Sequence, residues 1–227
     1  MRILPPTLLL GFVLVSLGFY LFPQIDLWVS GLFYNTEQGF YLAGNPLVRF
    51  IYAGIPIFTT AMTLALIGLL LYTWLKKRTA LGLDRRAYVY LLLVLIIGPG
   101  LLSSIFKDNW HRARPMTVEQ FGGKQQFSPA FVISDQCDNN CSFFSGHPTS
   151  LYFFIAVALV APPTYRRRFM VLAIAGGLIV GLGRVMQGGH FFSDVITSGF
   201  MVATTAYLLH WLMYKKQSQD PSHRLQD

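Results

Sequence analysis

Apolar residues in this chain fall into long unbroken runs. They show neither the three-to-four-residue rhythm of a surface helix nor the alternation of a half-buried strand. Two runs, 3–22 and 51–75, are nearly free of charge, and a hydrocarbon core of about 30 Å takes about 20 residues of helix to cross. A third run covers 87–106, another 169–187 with Arg184 near its end, and the last 195–214 with His210 inside it. Between the third and these two, 148–163 is short and becomes long enough only if its helix begins near Ser145. The pattern predicts an all-α polytopic membrane protein of six transmembrane helices in a bundle. Its membrane domain covers 1–216, with extramembrane segments over 23–46, 107–147 and 188–194, and a polar tail over 217–227 follows.

Composition agrees. The chain is 53% hydrophobic and 12% charged, against about 25% charged in ordinary soluble domains, which excludes a soluble globule, a disordered chain and a fibrous repeat. A net charge of +8 would suggest a polyanionic partner on a soluble protein. Placed on the six spans, the charges read differently. Twelve of the 18 basic residues fall on one side: Arg2, Lys76, Lys77, Arg78, Arg85, Arg86, Arg166, Arg167, Arg168, Lys215, Lys216 and Arg224. Three acids accompany them, for a balance of +9, while six bases and seven acids leave −1 on the other side. The positive-inside rule then puts both termini in the cytoplasm and the weakly charged face on the other side of the membrane. No nucleic-acid partner is implied. Arg2 followed by an apolar run resembles a signal peptide, but no small-x-small site follows it and the run exceeds an h-region of about 7–15 residues. The expectation is an uncleaved first helix.

Two segments on the weakly charged side stand out. The stretch 23–46 carries Trp28, Phe33, Tyr34, Phe40 and Tyr41, an interfacial composition. The stretch 107–144 has no clear helix or strand pattern over 38 residues, and loops beyond about 12–15 residues are uncommon unless functional or disordered.

The basic residues of that face are grouped. Lys107 and Arg114-Pro115 form K-x6-R-P, Ser145-Gly146-His147 opens the fourth span, and Arg184, His190 and Asp194 form R-x5-H-x3-D across the last hairpin. A phosphomonoester spreads charge over its oxygens in the transition state, so placed cations and N–H donors supply most of its catalysis. Arg114 and Arg184 can each grip oxygens with two N–H groups, and Lys107 adds a point charge. Pro148 suits a first helical position, which leaves 145–147 at a helix N-terminus. His190 is a candidate nucleophile, with Asp194 one turn on to hold its other nitrogen's proton. His147 is then the group that protonates the leaving oxygen and later activates water. Gly188-Gly189 lets the backbone approach closely.

These motifs, in this order and topology, resemble the type 2 phosphatidic acid phosphatase superfamily. The resemblance implies six transmembrane helices and a site facing away from the cytoplasm that forms a phosphohistidine without metal or other cofactor. It assigns phosphate binding to Lys107, Arg114, Ser145, Gly146 and Arg184, acid catalysis to His147, nucleophilic attack to His190 and its support to Asp194. Phe144 stands where the family usually has Pro, and Gly183 where it usually has Ser. Asp26-Leu27-Trp28, Gly31-Leu32-Phe33-Tyr34, the 127–131 segment Phe-Ser-Pro-Ala-Phe and Asn140-Cys141-Ser142-Phe143 are similar to the bacterial lipid A phosphatases, the 4′-phosphatases in particular. The implied substrate is a phosphorylated membrane lipid, with lipid A ahead of undecaprenyl pyrophosphate, phosphatidylglycerophosphate and phosphatidate. No obligate protein partner is implied.

Simpler readings stand beside these. His190 and Asp194 could make a plain helix-end hydrogen bond, Lys107 and Arg114 could snorkel from a span end, and a basic pocket alone would suit a lipid or anion transporter. Arg112 and His111 read as rim or lid residues, His210 as interfacial, and His223 carries no assignment. Cys137 and Cys141, in a loop on the oxidising side, read as a disulfide, with a metal pair completed by His111 or His147 as the rival. Trp110, Phe121, Phe127, Phe131, Phe143 and Phe144 read equally as an interfacial belt or as the wall of an acyl or sugar slot.

Overall fold

A computed structural model describes residues 4–214; Arg2, Lys215, Lys216, His223, Arg224 and the polar tail lie outside the described residues. The described chain is mostly helical. Helix α1 (Pro6–Leu21) turns at Pro23 into the short α2 (Gln24–Gly31), the two axes meeting at 81°. A small antiparallel hairpin, β1 (Tyr34–Asn35) with β2 (Gly39–Phe40), leads to α3 (Pro46–Lys76). Asn45 begins α3 as its N-cap, its side chain accepting from the Leu47 and Val48 amides, with Pro46 in the first turn where no amide is needed.

Helix α4 (Arg85–Leu95) is capped by Asp84, which accepts from the Ala87 amide at 2.9 Å. It runs through a wide π turn over Ile96–Leu102 into α5 (Ser103–Asn109). Pro99 lies in that turn and has no N–H to continue the α ladder. After the long loop come α6 (Thr149–Tyr152), α7 (Phe154–Val160), α8 (Pro163–Met186) and α9 (Phe192–Tyr214).

Among the described residues four helical stretches are long and apolar enough to cross a membrane: α3, Arg85–Asn109, α8 and α9. The bent α1–α2 pair makes a fifth if taken as one span. The α6–α7 stretch, Thr149–Val160, is shorter; at 1.5 Å per residue it reaches about 18 Å, well under a core of about 30 Å. Helices α1 and α3 turn Leu10, Leu14, Ile57, Leu64 and Leu75 outward, each more than half exposed. That much uncovered apolar surface suits lipid and not water.

Small residues let the inner helices close. A Cβ on Gly177 would come within 2.4 Å of the Tyr152 ring, and one on Gly181 within 2.0 Å of Val195, so α8 lies directly on α6 and α9. The core between α4, α7, α8 and α9 holds Tyr90, Leu91, Val94, Phe153, Ala173 and Ala206, and the Tyr90 hydroxyl donates to the Ala206 carbonyl at 3.0 Å. This packing brings the C-terminal ends of α5 and α8 and the N-terminal ends of α6 and α9 together beneath the long loop.

Candidate active site

Lys107 sits in the last turn of α5 and Arg184 in the last turn of α8. Arg184 lies over the Tyr52 ring (4.5 Å from guanidinium carbon to centroid), and Tyr52 stacks on His147 at 4.9 Å. Tyr52, from α3, thus separates one cation from the neighbouring histidine, a role that nothing around it in the sequence signals. Gly146 faces Lys107, since a side chain there would begin 3.1 Å from Ser103 Oγ and 3.6 Å from Lys107 Nζ. The segment is pinned in place: the Ser142 amide donates to the Arg112 carbonyl (2.8 Å), the Ser145 amide to the Asp194 carbonyl (3.2 Å), and Thr149 Oγ1 to the Gly146 carbonyl (2.5 Å).

His190 is buried, with Nδ1 2.7 Å from the Ser142 carbonyl oxygen. A carbonyl only accepts, so Nδ1 carries the hydrogen and the Nε2 lone pair is left available. Asp194 Oδ2 lies 3.6 Å from the same Nδ1. The closer partner is therefore the Ser142 carbonyl, a backbone atom with no sequence signature, and the carboxylate stands behind it. Burial, opposed by Asp194 and reinforced by Arg114 and Arg184, holds the His190 pKa well below the ordinary histidine value, at about 3. Burial and the charges of Arg184, Lys107 and Arg114 push His147 down to about 4.

Arg112 departs from the rim or lid position expected of it. It is fully buried and ties three segments together. Nη1 donates to Asp194 Oδ1 (2.6 Å) and Ser193 Oγ (2.9 Å), Nη2 to Asp26 Oδ2 (2.8 Å), and Nε to the Ser128 carbonyl (2.9 Å). Its guanidinium also lies 4.3 Å from the Phe191 ring centroid. Burial opposes the charge, but Asp194 and Asp26 outweigh it and push the Arg112 pKa up. Asp26 in turn accepts from the Ser193 amide (2.8 Å) and hydroxyl (2.5 Å), which fastens α2 to the start of α9. Asp194 also accepts from Ser142 Oγ (2.5 Å) and the Phe191 amide (2.8 Å). His111 sits beside this network, with Nδ1 2.8 Å from the Cys137 carbonyl oxygen.

Arg114 donates through Nη1 to the Gly189 carbonyl (3.0 Å), and through Nε and Nη2 to the Asn140 carbonyl (3.1 and 2.6 Å). Asn140 Oδ1 accepts from Arg114 Nη2 (3.0 Å) and Lys107 Nζ (3.4 Å). The Cys137 and Cys141 sulfurs are bonded at 2.17 Å and close the turn that presents Asn140. Lys107, Arg114, Ser145, Gly146, His147, Arg184, His190 and Asp194 are all brought to this one end of the bundle. Three buried polar atoms here have no hydrogen-bond partner among the described residues: Ser145 Oγ, His147 Nε2 and Arg184 Nε. Their hydrogen-bonding capacity is thus unused within the described protein. Among the described residues no group of three His, Cys, Asp or Glu side chains is placed to hold a metal ion.

The loop's aromatics are mostly its own core. Phe143 and Phe144 are fully buried and pack with Trp110, Phe106 and Phe131, while Phe121 and Phe127 join Phe40 and Phe191. A segment with little regular structure needs such a core to hold its shape. A Cβ on Gly183 would meet nothing within 4 Å, so the hydroxyl usual in the family would fit there.

Residues 87–218 match the PAP2 superfamily. The chain is 36% identical over 206 residues to a lipid A 4′-phosphatase of Francisella tularensis subsp. novicida, covering 88% of this chain and 90% of that one. It is 27% identical to a lipid A 4′-phosphatase of Rhizobium leguminosarum, over 78% of this chain and 82% of the relative. A lipid A 1-phosphatase of Rhizobium johnstonii is 37% identical over a shorter stretch, 44% of this chain and 38% of the relative. No solved structure matches.

Proposed function

The chain belongs to the PAP2 superfamily, and from that premise we propose that it removes the 4′-phosphate of lipid A through a phosphohistidine, without a metal. Three buried atoms support the assignment: Ser145 Oγ, His147 Nε2 and Arg184 Nε have no hydrogen-bond partner among the described residues, and they belong to the same motifs as Gly146, which faces Lys107.

With the phosphate so held, His190 Nε2 attacks phosphorus as the bond to the sugar oxygen breaks, and His147 delivers a proton to that oxygen. The Nδ1–H bond to the Ser142 carbonyl keeps the lone pair on the attacking nitrogen, and Asp194 offsets the charge of the phosphorylated ring. His147 then takes a proton from water, whose oxygen displaces His190 and releases inorganic phosphate. His147 must be protonated for the first step although its pKa is lowered to about 4. Burial and three cations lower it, and the bound phosphate dianion offsets those cations and raises it again.

The chain crosses the inner membrane six times, with α1–α2 as the first span and the short α6–α7 completed by its flanking residues. The basic residues at 76–78, 85–86 and 166–168 lie at the ends of α3, α4 and α8 remote from the site, which favours cytoplasmic termini and a periplasmic site.

The test is purified protein in detergent with lipid A 1,4′-bisphosphate and EDTA. Mass spectrometry should show loss of one phosphate, and fragmentation should assign it to the 4′ position. Retention of both phosphates, or loss of turnover on adding EDTA, would refute the proposal.

A further inference from the structure

A cavity of about 570 Å³ opens beside Arg114, between the turn at 117–125 and the disulfide-closed turn at 137–141. Its volume lies in the range of about 300–1,000 Å³ typical of small-ligand sites. Apart from Cys137, every residue lining it has a polar or charged side chain, among them Thr117, Lys124, Gln125, Asp138 and Asn139. Both walls are fixed. Lys124 and Gln125 donate their amides to the Thr117 carbonyl at 2.9 Å each, and the Cys137–Cys141 bond ties the other side. Among the described residues the Lys124 and Asp138 side chains have no hydrogen-bond or ion-pair partner in the protein.

We infer that this cavity receives the sugar that carries the scissile phosphate. Arg114 is shared between the phosphate group of residues and the cavity wall, so this space adjoins the phosphate site and lies within reach of a ring attached to the phosphate. The chemistry of the wall selects a class. An acyl chain would leave the polar groups around it unsatisfied, whereas ring hydroxyls and an amide can donate and accept at each of them. Two cations, Arg114 and Lys124, balance two carboxylates, Asp135 and Asp138. That favours a neutral, hydroxyl-rich ring over a second anion. The assignment rests on the phosphatase reading and deepens it, placing a saccharide subsite in the loop between α5 and α6.

The test compares wild type with a Lys124→Ala/Asp138→Ala double variant and its size-preserving counterpart, Lys124→Gln/Asp138→Asn. Phosphate release from lipid A 1,4′-bisphosphate gives KM and kcat, and vanadate inhibition reports the phosphate group alone. The Ala variant should raise KM about tenfold, the scale of one or two lost hydrogen bonds, and the Gln/Asn variant less, because its amides still bond hydroxyls, with kcat and vanadate inhibition unchanged in both. An unchanged KM in the Ala variant, or KM and vanadate inhibition weakening together, overturns the subsite. Wild-type protein that releases no phosphate from lipid A overturns the phosphatase reading itself, a distinguishable result.

Discussion

Arg112 Nη1 lies 2.6 Å from Asp194 Oδ1, with both side chains fully out of solvent. The carboxylate behind His190 is therefore held by a second ion that itself leans on Asp26, 2.8 Å from Nη2. Removing one partner of such a buried network leaves uncompensated charge, typically costing about 3–5 kcal/mol.

Arg112→Ala should accordingly unfold in detergent at a much lower temperature than wild type, by an amount equivalent to about 3–5 kcal/mol. Arg112→Lys should fold but lose kcat more than KM, because an ammonium cannot span Asp26, Ser193 and Asp194 together. Wild-type unfolding temperature in Arg112→Ala would show that the network is not structural.

Asn140 Oδ1 occupies donors of both Arg114 and Lys107. Asn140→Ala should free them, while the backbone carbonyl still positions Arg114. Inhibition by inorganic phosphate should then tighten by about three- to tenfold, the scale of one hydrogen bond. Weaker inhibition would mean that Asn140 helps to hold the anion.

Stability should fall with acid through His190. The unfolded chain takes up a proton near the ordinary histidine value of about 6.5, and the folded chain only near pH 3. Between these values the unfolded state binds more protons, so the folded state loses ground as pH drops, by up to about 1.4 kcal/mol per pH unit from this residue. Thermal unfolding between about pH 7 and pH 5 should show a shallower slope for His190→Asn than for wild type. Equal slopes would mean that His190 titrates normally in the folded protein.

The four long apolar helices and the three motifs are legible because each depends on local spacing: an apolar run long enough to span, or His190 and Asp194 one turn apart; the span expected around Thr149–Val160 is shorter than that rule requires. What escaped were relationships across the chain. Arg112 looked peripheral since its partners, Asp26 and Asp194, lie 86 and 82 residues away. Ser142 entered as part of a subfamily pattern, yet it is its carbonyl, an atom every residue possesses, that fixes the His190 tautomer. Tyr52 reads as one more apolar residue of α3 until folding places it between Arg184 and His147. The 81° turn after α1 was also invisible, as Pro23 ends a helix without fixing where the chain then goes.

Covalent labelling tests directly whether His190 carries the phosphoryl group. Protein mixed with lipid A bearing a radiolabelled 4′-phosphate and quenched in alkali should retain label that survives base and is lost in acid, as a phosphorus–nitrogen bond would be. The label should map to the peptide containing His190 and be absent from His190→Ala protein that still folds. Label persisting in His190→Ala, or His190→Ala protein that still releases phosphate at the wild-type rate, would exclude His190 as the nucleophile.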